Sequence, residues 1–197
     1  MLRYYQQIEI FDDGEISPGF VWSRLYGLLH AKLAGLKDSD GLTPVGVAFP
    51  GYGKTRFPLG TALRLFAPDK ETLESLHMEE LLKDYCDYLQ VMAVKEIPRA
   101  HSFAHFFRKQ FKNTNPERLA RRYAKRHGIS FDEALERYKS LETESVEKTN
   151  KLPYIHLQSS STGQRHRLFI VKESVQTATD GRFNTYGLSK TATVPCF

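Results

Sequence analysis

The residue types best suited to chemistry are a histidine and a run of hydroxyl side chains, far apart in the chain. His30 lies in the segment LYGLLHAKL, whose apolar residues recur with helical spacing. It falls beside Tyr26 and Ala34, off the centre of the apolar stripe, so we expect its ring to be accessible. An imidazole takes up a proton near neutral pH and can act as a general base. A surface histidine without a task also fits this position.

The hydroxyl run is Ser159-Ser160-Ser161-Thr162, followed by Gly163. Hydroxyl groups can hold a reacting group in place. Serine and threonine before glycine are also common turn residues. Both interpretations of this segment remain open.

A strongly basic helix is predicted for the stretch NPERLARRYAKRHGIS. Asn115 and Pro116 suit a helix start, and Gly128 suits a helix end. Its positive charges share an arc of about 140°, with the apolar residues opposite, so we expect the apolar face to pack inward. The charged stripe is about 12 Å long and suits a nucleic-acid groove, although a solvated surface helix is the alternative. These basic residues are Arg118, Arg121, Arg122, Lys125 and Arg126.

The charge of the chain is concentrated in this region. The net charge is +5 for 197 residues, whereas residues 101–127 alone carry +7 and the rest carries −2. A nearly neutral body with one basic block favours a polyanionic partner.

Several function classes are excluded. The stretch GYGKT at residues 51–55 resembles a phosphate-binding loop, but Ala48 replaces the first glycine of that motif and a strand follows. Asp38 and Asp40 have no third carboxylate at a suitable spacing, and Cys86 and Cys196 match no metal motif. We therefore expect no metal and no cofactor. No apolar run is long enough to span a membrane and no signal peptide is visible, so a cytoplasmic protein is expected.

The first half of the chain follows the order β-α-β-β-α-β, which is the ferredoxin-like (RRM-like) plan. The predicted strands cover residues 4–11, 45–49, 63–66 and 88–94, and the predicted helices cover 17–34 and 70–85.

The second half is predicted to be less regular. Residues 101–114 mix aromatic and basic side chains and are expected to lack regular structure. A capping box at Ser130 predicts a helix to about residue 141, a polar linker follows at 142–151, and short strands are expected at 154–157, 167–172 and 183–186. The fold class is therefore α+β, with a ferredoxin-like domain over 1–97 and a half with the arginine-rich helix and a small β segment over 98–197.

Five stretches, taken in order, resemble one family. They are GLLH, VGVAFP, NPERLARRYAKRH, SSSTGQRHRLFI and TYGLSKTATVP. The chain is similar to the CRISPR repeat-processing endoribonucleases of subtype I-F, which are the Csy-type members of the Cas-six family. The resemblance implies cleavage of precursor CRISPR RNA at the base of the repeat hairpin, retention of the product, and association with other subunits of a type I-F interference complex.

The resemblance also implies residue roles. His30 acts as general base on a ribose 2′-hydroxyl, Ser159 holds that hydroxyl, and Tyr186 orients the histidine. Arg108 and Gln110 read bases at the foot of the stem, and the helix arginines, Arg122 and Arg126 above all, clamp phosphates. Further RNA contacts are implied for Ser161, Thr162 and His166, the last where the family has a stacking phenylalanine.

This chemistry is self-consistent, because RNA supplies its own nucleophile. A base and a fixed pose are sufficient, and the product is a 2′,3′-cyclic phosphate with a 5′-hydroxyl. Two alternatives use the same residues: a hairpin-binding module that does not cleave, and, less well supported, a DNA-binding regulator that places the basic helix in a major groove.

Overall fold

A computed structural model describes residues 1–11, 14–99, 102–111, 116–138, 152–159 and 163–197. The chain forms two compact units. The first combines residues 1–108 with 153–197, and the second consists of residues 109–152. The structure has a mixed α and β composition, as the sequence predicts. The linker predicted at residues 142–151 lies outside the described residues.

The first unit is built on an antiparallel sheet with the strand order β3-β4-β1-β5, to which β6 adds beside β1. The register pairs Tyr4 with Ala67 and Ile8 with Leu63. Alternate residues of β1 are buried, because one face of the sheet lines the hydrophobic core, and β4 is buried over three successive residues at its end. The strands are β1 (Tyr4–Ile10), β2 (Leu42–Thr43), β3 (Gly46–Ala48), β4 (Ala62–Ala67), β5 (Leu89–Val91) and β6 (Lys95–Glu96).

The helix α1 (Pro18–Gly35) contributes its buried face to the hydrophobic core of this unit. Its start matches the prediction, since Ser17 Oγ accepts a hydrogen bond from Phe20 N and proline occupies the first helical position. The face formed by Trp22, Leu25 and Leu29 is buried. This face fixes the rotation of the helix and therefore the position of His30 on its flank.

The single helix predicted over residues 70–85 is wrong. The chain instead forms α2 (Lys70–Glu74), α3 (Met78–Leu81) and a 3-10 turn at Lys83–Tyr85. His77 has a φ of +48°, a left-handed conformation that interrupts the helix between α2 and α3. The buried side chains of Leu73, Leu76 and Met78 hold this broken path against the sheet.

The irregular structure predicted for residues 101–114 is also wrong where the chain is described. Residues Ser102–Lys109 form β7, whose Ala104 and Phe106 are buried. Aromatic and basic side chains occur together here because one face of the strand is buried and the other is partly exposed. It belongs to a second sheet with the order β11-β7-β9-β8, in which β8 is Tyr154–Gln158, β9 is Arg165–Val175 and β11 is Val194–Cys196.

The predicted strand over residues 183–186 is shorter in the structure. Phe183–Asn184 forms β10, which pairs with β2, and Tyr186 lies in the turn that follows. The ring of Phe183 fills the space above Gly46, where any Cβ would lie 2.6 Å from a ring carbon. Other strand ends differ from the predictions by one to three residues, as β3 and β5 show.

The second unit contains α4 (Pro116–His127), which confirms the predicted basic helix, and α5 over residues 131–138. Ser130 Oγ accepts from Glu133 N, as the capping box predicts. Tyr123 of α4 makes an edge-to-face contact with Tyr138 and accepts a hydrogen bond from Arg137, so the two helices pack together. Throughout the described ranges, no helix has the length and apolar character required to cross a membrane.

Candidate active site

His30 lies half-buried near the C-terminal end of α1, and its ring is held by a backbone carbonyl. Its Nδ1 lies 2.8 Å from Thr185 O. A carbonyl oxygen can only accept a hydrogen bond, so Nδ1 carries the proton in the neutral ring. The lone pair then lies on Nε2. The contact therefore selects the tautomer in which Nε2 can accept a proton.

The ring of Tyr186 covers one face of this imidazole. The two ring centroids are 4.0 Å apart and the planes differ by 8°. Arg108 lies in the same cluster of side chains, with its Cζ 5.7 Å from the centroid of the Tyr186 ring. The structure thus brings His30, Tyr186 and Arg108 together from α1, the turn after β10 and β7. Two of them are at the predicted catalytic positions and the third is at a predicted RNA-binding position.

The turn that carries Thr185 and Tyr186 is tightly fixed. Asn184 Oδ1 accepts from Tyr186 N at 2.9 Å and from Leu188 N at 3.2 Å. Val47 N donates to Gly187 O at 2.8 Å, which attaches the turn to β3. Gly187 has a φ of +71°, and a Cβ there would lie 2.2 Å from Val47 Cγ2. Glycine is therefore required at this position for both backbone conformation and space.

Tyr26 is a positioning residue that the sequence analysis did not identify. It lies one helical turn before His30, is fully buried, and donates its hydroxyl to Tyr186 O at 2.8 Å. Burial raises the pKa of this phenol well above its usual range, and the nearby Tyr186 raises it further. The hydroxyl therefore stays a proton donor. The spacing of four residues from His30, on the same helix face, was the available signal.

Ser159 directly follows β8. Its backbone N donates to Gln164 O and its carbonyl accepts from Gly163 N, both at 2.9 Å. These hydrogen bonds join the described residues on either side of 160–162, and a catalytic role for Ser159 stays a prediction. His166 is half-buried on β9, opposite Leu157 of β8. Ser161 and Thr162 lie outside the described residues.

The basic face of α4 is exposed, as predicted. Ala120 is its buried residue, whereas all five basic side chains predicted to bind RNA are exposed. The helix contains one acid, Glu117, whose Oε2 lies 3.9 Å from Arg121 Nη2. One exposed i,i+4 pair offsets little of the charge, so the stripe retains an excess of positive charge.

Arg108 and Gln110 occupy different positions in the fold. Arg108 lies near the end of β7 in the first unit, beside Tyr186. Gln110 is exposed just after that strand and belongs to the second unit. Their joint role in reading bases therefore stays a prediction.

The Asp38 and Asp40 segment has a structural role. Asp38 Oδ1 accepts from Asp40 N and Leu42 N, and its Oδ2 pairs with Arg182 Nε at 3.1 Å. The hydrogen bond from Leu42 is the main reason that the pKa of Asp38 is lowered. In the part of the chain that is described, no group of three or more His, Cys, Asp or Glu side chains is arranged to hold a metal ion.

Known proteins resemble this chain over its whole length. The relatives include two proteins named "CRISPR-associated endonuclease Cas6/Csy4". One is from Pseudomonas aeruginosa (strain UCBPP-PA14) and is 36% identical over 197 residues; the other is from Escherichia coli (strain UTI89 / UPEC) and is 32% identical over 201 residues. In each comparison, 100% of both chains is covered.

Two solved structures are more distant. One is described as "An RAMP protein binding different RNA substrates", with 11% identity, a TM-score of 0.36 and coverage of 98% of this chain and 100% of that one. The other, "CRISPR associated protein Cas6", has 9% identity, a TM-score of 0.34 and coverage of 100% and 99%. Neither likeness establishes a shared fold. The family model described as "CRISPR-associated protein (Cas_Csy4)" matches residues 5–197. This chain therefore belongs to the Cas_Csy4 family of CRISPR-associated proteins.

Proposed function

We propose that this chain is a metal-independent endoribonuclease that cleaves precursor CRISPR RNA at the base of the repeat hairpin and remains bound to the product. Family membership and the activity named for both full-length relatives support an endonuclease. The observation that carries the mechanism is the contact between His30 Nδ1 and Thr185 O, since it leaves Nε2 as a proton acceptor.

In the proposed reaction, His30 Nε2 takes the proton of the ribose 2′-hydroxyl on the 5′ side of the scissile phosphate. The 2′-oxygen forms a bond to phosphorus while the bond from phosphorus to the 5′-oxygen breaks. The products are a 2′,3′-cyclic phosphate and a 5′-oxygen that becomes a hydroxyl on protonation. Thr185 O supports the positive imidazolium that forms, because its hydrogen bond to Nδ1–H becomes charge-assisted.

The stack of Tyr186 on His30 supports its role in orienting the base, because parallel rings 4.0 Å apart restrict rotation of the imidazole. Ser159 is proposed to hold the 2′-hydroxyl. The packing of α1 along β8 supports this role, since Ser23 Oγ of α1 donates to His156 O three residues before Ser159.

The RNA partner is proposed to be a CRISPR repeat hairpin, held mainly through its phosphates. The exposed stripe on α4 and the position of Arg108 beside Tyr186 support this partner. The predicted contacts are made by Arg108, Gln110, Arg118, Arg121, Arg122, Lys125, Arg126, Ser161, Thr162 and His166. Retention of the product would bring the chain into a larger type I-F interference complex in the cytoplasm.

A ferredoxin-like arrangement is proposed for the first 97 residues, with RNA recognition assigned to residues 98–197. The strand order β3-β4-β1-β5 supports the arrangement, because the β-α-β-β-α-β plan places the first and third of its four strands in the centre. All of the neighbouring pairs in that order are antiparallel.

The test is incubation of the protein with a repeat hairpin in EDTA. We expect cleavage, and we expect His30→Ala to reduce its rate by about 10²–10⁴ while hairpin affinity is retained. A hairpin with hydrogen in place of the scissile 2′-hydroxyl should bind without being cut. Binding without cleavage by the unaltered protein would favour the non-cleaving module, and preference for duplex DNA would favour the regulator. Cleavage of the deoxy substrate would exclude the internal nucleophile.

A further inference from the structure

A positively charged cavity lies in the first unit, outside the candidate active site. Its volume is about 290 Å³. Three basic side chains line it, Lys54 from the loop after β3, Arg64 from β4 and Lys172 from β9. Phe106 of β7 and Cys196 of β11 form further parts of its wall.

The charges of this cavity are not neutralised by carboxylates of the described residues. None of the three basic side chains forms an ion pair with an Asp or Glu in the described ranges. Arg64 is fixed, because Nε donates to Gln7 Oε1 at 2.7 Å, Nη1 donates to Phe197 O, and Cζ lies 4.2 Å from the centroid of the Phe197 ring. The ammonium groups of Lys54 and Lys172 are therefore available to bind a ligand.

The three basic side chains all lie close enough to the thiol of Cys196 to influence its pKa. Burial raises the pKa of this thiol, whereas Lys172, Arg64 and Lys54 each act in the opposite direction. This set of basic groups around a half-buried space suits an anion with several acceptor oxygens.

The GYGKT stretch explains how Lys54 reaches this cavity. Tyr52 donates its hydroxyl to Ile170 O at 2.9 Å, two residues before Lys172 on β9. Gly51 packs so closely on Gly60 that a Cβ on Gly51 would lie 2.8 Å from Gly60 Cα. The stretch therefore brings one lysine beside another.

Two strands connect the cavity with the candidate active site. On β7, Phe106 lines the cavity and Arg108 contacts Tyr186. These two residues lie on the same face of the strand, about 7 Å apart. On β3, Val47 N binds Gly187 O, and the next residues, from Ala48 on, line the cavity.

We propose that this cavity binds phosphate groups of the single-stranded RNA that flanks the repeat hairpin. The inference rests on the proposed function, since it requires RNA at His30. A strand whose scissile phosphate lies beside His30 and Arg108 continues past the hairpin. The cavity, with its three basic side chains, begins at Phe106, two residues before Arg108 on β7. The flank is either the strand 5′ of the stem or the strand 3′ of the cut.

The test measures the contribution of each flank to binding. Hairpins with a 2′-deoxy residue at the scissile position are prepared with one nucleotide 3′ of the scissile phosphate and no further flank, with an added 5′ flank, and with an extended 3′ flank. Their dissociation constants are measured over a range of salt for the unaltered protein, for Lys54→Gln/Lys172→Gln, and for Lys83→Gln/Lys95→Gln. The last variant removes the same charge at two exposed positions of the first unit.

In the unaltered protein and in the Lys83/Lys95 control, one flank should increase affinity and steepen the dependence of log K on log salt. The Lys54/Lys172 variant should not show this increase, and its slope for that flanked RNA should be flatter by about 0.7 for each phosphate that is no longer neutralised. The flank that responds identifies the bound strand. The proposal is wrong if neither flank adds affinity, or if the variant binds more weakly by the same factor with and without a flank. Cleavage of an all-ribose hairpin that carries one nucleotide 3′ of the scissile phosphate and no further flank tests the proposed function separately.

Discussion

At the scale of single residues, the site depends on which nitrogen of His30 carries the proton. The acceptor that decides this is the backbone oxygen of Thr185, and no side chain in the sequence reveals it. Tyr26 reinforces the arrangement, because it binds the carbonyl of the next residue, Tyr186. One helix therefore supplies the proposed base and a group that fixes the turn orienting that base.

Tyr26→Phe should show this coupling. The change removes one buried hydrogen bond and leaves the Tyr186 carbonyl without that donor, which should lower the free energy of unfolding by about 1–3 kcal/mol. Single-turnover cleavage should slow while hairpin affinity is maintained, because the turn that holds Thr185 O loosens. The control is Ile8→Val in the buried part of β1, which costs about 0.5–1.5 kcal/mol without touching the turn. Equal rates for the two variants would show that Tyr26 acts only on stability.

At the scale of elements, the turn at residues 184–188 and the helix α4 differ in how far their polar groups are bound within the protein. The turn is held by the Asn184 side chain, by Val47 and by the absence of a side chain at Gly187. The helix α4 presents five exposed basic side chains and one acidic side chain, Glu117. Hydrogen bonds fix the turn, whereas the exposed charge of the helix is available to the proposed RNA ligand.

Gly187→Ala should destabilise the protein. The left-handed φ costs about 1–2 kcal/mol for a residue with a Cβ, and crowding against Val47 adds about 1–3 kcal/mol. Urea unfolding measures the effect. Gly27→Ala is the matched control, because a Cβ at this helical position meets no atom within 4 Å and alanine is the better helix former by about 1 kcal/mol. A neutral result at Gly187 would contradict the geometry of the turn.

Arg122→Ala and Arg126→Ala should weaken hairpin binding and flatten the slope of log K against log salt. Each phosphate left without its arginine should change the slope by roughly 0.7–0.9, because fewer counterions are released. Alanine favours helix, so α4 itself should persist. Arg24→Ala, an exposed position on α1, should keep the original slope. An unchanged slope in the α4 variants would support the solvated surface helix instead.

At the scale of the whole molecule, the sequence predicted the elements that a local signal marks, such as a capping residue or a regular apolar pattern. The caps at Ser17 and Ser130 were visible, and so was the two-sided basic helix. The strand at residues 102–109 was missed because its outward face carries aromatic residues such as Phe107, which hide the alternation of buried and exposed positions. The break at His77 was missed because tertiary packing overrides helical periodicity there.

The family resemblance pointed to His30 and Tyr186. The structure stacks their two rings, and their catalytic roles stay predictions. Thr185 O and Tyr26 could not be identified, because one is a backbone atom and the other resembles an ordinary core residue. Side-chain motifs indicate which groups react, whereas the groups that orient them follow from the tertiary contacts.

Stability at alkaline pH should depend on Tyr26. Its pKa is raised in the folded state, so its contribution is fully present below the ordinary tyrosine pKa of about 10 and declines as pH rises above that value. The difference in unfolding free energy between the unaltered protein and Tyr26→Phe should therefore shrink as pH rises above about 10. Chemical unfolding at a series of pH values measures this difference, in which the other tyrosines cancel. A constant difference would mean that the phenol is not protected in the folded state.

The contact between His30 and Thr185 joins residues 155 positions apart. During synthesis on the ribosome, His30 emerges early, and the carbonyl that selects its tautomer is added only after those 155 further residues. A nascent or prematurely terminated chain therefore has the proposed base but not its orientation. The proposed cleavage can therefore begin only after Thr185 has left the ribosome.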